Sequence, residues 1–121
     1  MEYKKLFSPM KIGNTEIKNR VVMTAMGVDV SDHDGTANEK TVAYYKERAK
    51  GGVGLIITEY TRINEKDGVV APSQISMSAD RYIKPFKKVV DAVHEEGTKI
   101  FVQLHHPGRQ NVVIFSTLWS I

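Results

Sequence analysis

Hydrophobic and polar positions change period along the chain, and each change marks an element. Met10-Lys11-Ile12 and Glu16-Ile17 flank Gly13-Asn14, a pair that accepts positive φ, which predicts a short hairpin. Val21-Val22-Met23 reads as a short buried strand. A polar loop follows from Gly27 to Ala37, carrying Asp29, Asp32, His33, Asp34 and Gly35. Thr36 and Glu39, three residues apart, predict a capping box for a helix running to about Lys50, where Gly51-Gly52 supplies a left-handed cap. "VGLIIT", Val53 to Thr58, is an apolar run too short for a helix and bounded by glycine, so it predicts a strand buried on both faces. A second polar loop spans Asn64 to Ser78. The next helix is predicted over 80–96, with Ile83, Phe86, Val89, Val90 and Val93 on one face and Pro85 in its first turn or kinking it. Gly97 ends that helix, and Lys99 to Leu104 follows as a third core strand.

The order is hairpin, strand, helix, strand, helix, strand. "AKGGVGLIIT" and "EEGTKIFVQL" share an outline of helix end, glycine and buried strand, the repeat expected of βα units in a parallel sheet. Loops leaving the strands are long and polar while those entering them are short, which puts function on the long-loop side. Two architectures fit this order. A doubly wound dinucleotide fold would usually show G-x-G-x-x-G after its first strand, but the sequence there is "MTAMGVDVSD", with one glycine. A (β/α)₈ barrel needs no such turn, although it needs about 250 residues. The expected fold class is therefore α/β, the N-terminal part of a TIM (β/α)₈ barrel, with a hairpin, three strands and two helices. Its expected extent is residues 1–110, followed by a divergent apolar tail at 111–121.

Composition narrows the function classes. The chain has 121 residues, 41% hydrophobic and 26% charged, enough for one modest core. A net charge of +3 is spread with interleaved acids along the helical segments, so neither nucleic acid nor a membrane surface is an expected partner. No cysteine is present, which rules out a thiolate metal site, a disulfide framework or an iron–sulfur cluster encoded within these residues. No apolar run has signal-peptide or membrane-spanning length, so a cytoplasmic protein is expected.

Candidate chemistry collects where the third strand ends, at "VQLHHPGR". Gln103 closes that strand, where on the residues alone it could simply bond a loop. His105 and His106 are adjacent and point in different directions with no third ligand at a suitable spacing, so no metal site is expected. Asp29, Asp32 and Asp34 lack the remainder of a calcium loop and read as turn and solvent residues. His33 and His94 read as surface residues.

"LFSPMKIGNTEIKNRVVMTAM", "GGVGLIITE" and "VQLHHPGR", in this order and spacing, resemble the N-terminal part of the Old Yellow Enzyme family of FMN-dependent NAD(P)H:flavin oxidoreductases, over roughly residues 5 to 110. The resemblance implies a hairpin covering the bottom of an FMN-binding barrel. It implies that Gln103 holds the pyrimidine edge of the flavin, for which an amide is apt because it both donates and accepts. It also places the backbone of Ala25, Met26 and Gly27 beside the flavin N5 and O4. Some family members carry cysteine or histidine where Gly27 stands, so direct side-chain tuning of the flavin from that position is expected to be absent. Tyr60, a further candidate cofactor contact, departs from the small residue common there. His106-Pro107-Gly108-Arg109 matches a turn that supports the flavin floor. The implied reaction passes a hydride from NAD(P)H through FMN to an activated alkene, an enone or enoyl substrate. Groups expected to bind substrate, donate the proton and hold the FMN phosphate come later in such proteins.

After Gln110 the resemblance stops, and "NVVIFSTLWSI" is uncharged and strand-prone. A truncated or frame-shifted gene product, inactive alone, is the preferred expectation. The alternative is a short non-enzymatic βα module that self-associates through open sheet edges. Either way, open edges and an apolar tail lead one to expect a homo-oligomer or aggregate.

Overall fold

The computed structural model describes residues 3–111. Strands β1 (Met10–Ile12) and β2 (Thr15–Ile17) form the expected antiparallel hairpin, with Ile12 paired to Thr15 across Gly13-Asn14. Gly13 takes φ +58 while Asn14 does not share the positive φ, the sign pattern of a two-residue turn with glycine in its first central position. Beyond the hairpin run β3 (Val22–Met23), helix α1 (Glu39–Lys50), β4 (Leu55–Arg62), helix α2 (Ile83–Glu95) and β5 (Lys99–His105). The three later strands form one parallel sheet in the order β3-β4-β5, so the chain makes two successive βαβ units.

Tyr45 and Ala49 of α1, Phe86, Val89 and Val93 of α2, and Ile56 and Ile75 make the core between the helices and one face of the sheet. Only β4 is buried along its length; it begins at Leu55, two residues into the expected Val53–Thr58 strand, and runs four residues past it to Arg62. The outer strands differ from expectation. Val22 and Phe101 are each 36% exposed and Leu104 is 65% exposed: β3 and β5 are the edge strands, and although Met23, Ile100 and Val102 pack on the core, the face that carries Phe101 has no layer against it among the described residues. Exposed Phe101 shares its side of the sheet with Ile57, its partner in β4.

Both helix starts also correct the sequence reading. The capping box belongs to Asn38 and Thr41, not to Thr36 and Glu39. Asn38 Oδ1 accepts from the Lys40 and Thr41 amides, and Thr41 Oγ1 accepts from the Asn38 amide. Thr36 is instead held by the Asp34 carboxylate, through its amide at 2.8 Å and its hydroxyl at 2.9 Å. Residues 80–82 form a 3₁₀ turn and α2 begins only at Ile83, which is 57% exposed. Tyr82, fully buried, fills the core at that end in its place. Pro85 lies in the first turn of α2, where its missing N–H falls among donors that have no helical partner. Helix α1 ends at Lys50, and Gly52 follows at φ +90.

At the strand-entry end, the segment after the hairpin crosses the sheet. Asn19 Nδ2 donates to the Gly52 carbonyl at 2.7 Å, and Lys18 Nζ donates to the Glu96 carbonyl at 2.7 Å. Asn19 lies so close to Gly54 that a Cβ there would collide with its backbone and side chain. The expected apolar tail lies, from residue 112 on, outside the described residues.

Candidate active site at the strand ends

The exits of β3, β4 and β5 bring together the residues singled out in the sequence. Ala25 is half-buried, and Met26 is 54% exposed. Gly27 lies directly against Tyr60: a Cβ at position 27 would stand 2.6 Å from Tyr60 Cζ and closer still to the hydroxyl oxygen. Tyr60 is the register partner of Gln103 on β5, and its ring meets that of His105 with centroids 5.5 Å apart. Gln103 is exposed, and its carboxamide has no partner among the described residues.

A β-bulge sets this alignment. From Ile57↔Phe101 to Tyr60↔Gln103, β4 advances one residue more than β5. Thr58 Oγ1 accepts the Gln103 amide at 3.1 Å, and the Glu59 amide, displaced from the ladder, donates to Tyr45 Oη at 2.9 Å. The extra residue reverses the alternation, so Ile57 and Tyr60 share a side of the sheet with Phe101 and Gln103.

Glu59 is the principal residue that sequence reasoning passed over. It is 1% exposed, and its Oε2 accepts from the amides of Val28 at 2.8 Å and Asp29 at 3.2 Å. Asp29 takes φ +57, and its own Oδ1 accepts the Ser73 amide at 2.6 Å. Glu59 thereby anchors the chain immediately after Gly27. Burial pushes the Glu59 carboxyl above its usual range against the opposing pull of the two amides, and Oε1 is buried with no partner among the described residues. A carboxylate following the apolar "VGLIIT" run was the available signal, since such groups are almost never fully buried unless paired. Burial also pushes the Tyr60 phenol up, with the charges of Glu59 and Asp29 adding to it.

A second cluster ties the two long loops together. Arg62, 4% exposed, donates to the Asp34 carbonyl and pairs with Glu65 at 3.3 Å. Glu65 accepts from Tyr82 Oη at 2.6 Å and from the hydroxyls of Ser76 and Ser78. Arg62, the last residue of β4, also bridges in parallel to Ser76 through backbone bonds. The three loop aspartates each accept a specific bond, Asp32 from Asn38 Nδ2 at 2.8 Å, in addition to those of Asp29 and Asp34 already described. Beside them lies a polar cavity of about 430 Å³ lined by Asp29, Ser31, Asp32, His33, Lys40 and Ser73, among others. His106 Nδ1 accepts the Gly108 amide at 3.1 Å within its turn, and His94 is exposed. No group of three or more potential metal ligands occurs among the described residues. No helix among them is long and apolar enough to cross a membrane.

Comparison with known proteins matches this arrangement to one family. The model of the NADH:flavin oxidoreductase / NADH oxidase family matches residues 5–114. The NADH oxidase of Thermoanaerobacter brockii is 42% identical over 105 residues, which are 87% of this chain and 16% of the relative. An NADPH dehydrogenase of Listeria monocytogenes serotype 4b (strain CLIP80459) is 38% identical over 110 residues, 90% of this chain and 32% of the relative. Among solved structures, the Old Yellow Enzyme from Pichia sp. AKU4542 superposes with a TM-score of 0.84 at 30% identity, over 97% of this chain and 30% of that one. The chain therefore spans between 16% and 32% of the length of these curated relatives.

Proposed function

The chain belongs to the NADH:flavin oxidoreductase / NADH oxidase family, and from that premise we propose that it forms the first part of an FMN-binding TIM barrel of the ene-reductase type. The observation that carries this reading is the convergence of Gly27, Tyr60 and Gln103 from three adjacent strand exits. Catalytic groups of such barrels gather at the C-terminal ends of the strands, which is where these residues lie.

The residues present fit a flavin. Gln103 presents an unpaired donor and acceptor from an exposed strand face, as the pyrimidine edge of the ring requires. The main chain at Ala25 to Gly27, free of bulky groups at Ala25 and Gly27, lies at the neighbouring exit, where its amides can stabilise negative charge developing on a ring nitrogen. Glu59 acts by holding the next two residues in place. FMN, when bound, supplies hydride transfer between NAD(P)H and the β-carbon of an activated alkene such as an enone or enoyl compound. These side chains bind and orient the ring. The non-enzymatic alternative has less support, since its open strand faces are also what a partial barrel presents.

Replacing Gln103 by Leu removes one partner of the ring edge and should cost about 1–3 kcal/mol in FMN affinity. Titration with FMN of a full-length protein containing this segment, as wild type and variant and read by flavin fluorescence, tests this, and equal affinities would count against the assignment. We further propose that the 121-residue chain alone does not reduce enones with NAD(P)H, because relatives draw on three to six times its length. Sustained NADPH consumption on adding cyclohexenone would show otherwise.

A further inference from the structure

We propose that Tyr60 fills, from the neighbouring strand β4, the side-chain position that Gly27 leaves vacant, and that its hydroxyl is the hydrogen-bond donor offered to the charge-gaining edge of the flavin. This rests on the flavin reading above.

The geometry is specific. The Tyr60 ring and hydroxyl occupy the volume into which a Cβ on residue 27 would project, so side chains at positions 27 and 60 exclude each other. The bulge at Thr58 and Glu59 puts Tyr60 in register with Gln103 and on its side of the sheet. The His105 ring packs against Tyr60 at 5.5 Å between centroids, limiting the directions in which the phenol can swing away. Its hydroxyl has no partner among the described residues, so it is available to donate. The phenol is protonated at neutral pH, and burial and the nearby acids push it further from ionisation. A neutral hydroxyl beside a ring that gains negative charge on accepting hydride stabilises the reduced form more than the oxidised one. Tyrosine at position 60 is thus a specificity-determining residue: it closes the space beside Gly27 to bulky groups while supplying a donor.

The test uses the full chain as wild type and as Gly27→Ala, Tyr60→Ala, Tyr60→Phe and the Gly27→Ala/Tyr60→Ala double variant. Thermal unfolding reads the packing, with amide exchange at residues 25–28 as a second measure. FMN titration and the midpoint potential of the FMN complex read the donor. Gly27→Ala is expected to lower the unfolding midpoint in the Tyr60 background and to have little effect in the Tyr60→Ala background. Tyr60→Phe is expected to unfold close to wild type, bind FMN several-fold more weakly and give the complex a more negative potential. Equal effects of Gly27→Ala in both backgrounds would overturn the size-exclusive pairing. Unchanged affinity and potential in Tyr60→Phe would overturn the donor role. Coupled unfolding together with an FMN affinity that neither Tyr60→Phe nor Gln103→Leu changes would overturn the flavin reading, and with it the donor role, while upholding the Gly27–Tyr60 pair.

Discussion

Removing a single oxygen from Tyr45 asks whether the bulge that aligns Tyr60 with Gln103 is held from outside the sheet. Tyr45 is 1% exposed and its hydroxyl accepts the Glu59 amide at 2.9 Å. Tyr45→Phe keeps the ring and its edge-on contact with Tyr44, whose centroid is 5.1 Å away, so little packing is lost. What remains is a buried N–H without an acceptor, at a point where the ladder has slipped by one residue and no carbonyl of β5 stands opposite. Leaving such a group unpaired costs about 1–3 kcal/mol. At about 1.4 kcal/mol per factor of ten, the unfolding equilibrium should shift by about 5- to 150-fold. Urea unfolding should show a lower midpoint with an unchanged slope, because the surface exposed on unfolding is the same. Amide exchange at Glu59 should accelerate in parallel. Tyr44→Phe is the matched control. Its ring lies under the Arg48 guanidinium at 3.5 Å, a contact that phenylalanine retains, and its effect should stay within about 0.5 kcal/mol. If both variants cost the same small amount, the sheet alone holds the bulge and the role given to Tyr45 is refuted.

The cap of α1 gives a second prediction: Asn38→Ala should cost about 1 kcal/mol in chemical unfolding, with Glu39→Ala near neutral, whereas the reverse order would restore the box first read at Thr36 and Glu39. A third concerns acid. Burial alone would push the Glu65 carboxyl up, but hydrogen bonds from Ser78 and Tyr82 and the charge of Arg62 outweigh it and hold the group below its usual range. Its stabilising contribution is therefore complete above the ordinary carboxylate range and lost as pH falls through the depressed folded value. Glu65→Gln should flatten that acid limb, so wild type and variant converge in unfolding midpoint toward low pH, and parallel pH profiles would contradict this.

Much of the fold was legible because it is periodic. The hairpin, both helices and the β4 run follow from apolar spacing and from glycines where strands begin. The cap was not, since Thr36-x-x-Glu39 and Asn38-x-x-Thr41 overlap and the choice depends on Asp34 capturing Thr36. Burial of β3 and β5 was overestimated because an apolar strand records what should cover it, not what does. The bulge at Thr58 and Glu59 carries no glycine or proline to announce it. At the site, Gln103, Tyr60 and the Ala25 to Gly27 segment came from motif resemblance, which gives positions but no contacts. The exclusion between Gly27 and Tyr60, 33 positions apart, is visible only in three dimensions.

The crossing at the strand-entry end bears on synthesis. Asn19 bonds a carbonyl 33 positions later and Lys18 one that lies 78 later. A ribosome adds about 5–20 residues per second, so the partner of Asn19 follows by roughly 2–7 s and that of Lys18 by roughly 4–16 s. During that interval the hairpin has emerged with its surface unclaimed, including Ile17, which is fully buried once docked. A released chain ending near residue 60 would thus hold a hairpin tethered on one side only, and the second fastening waits for α2. The two fastenings of this segment are thus made in sequence, the one to Gly52 before the one to Glu96.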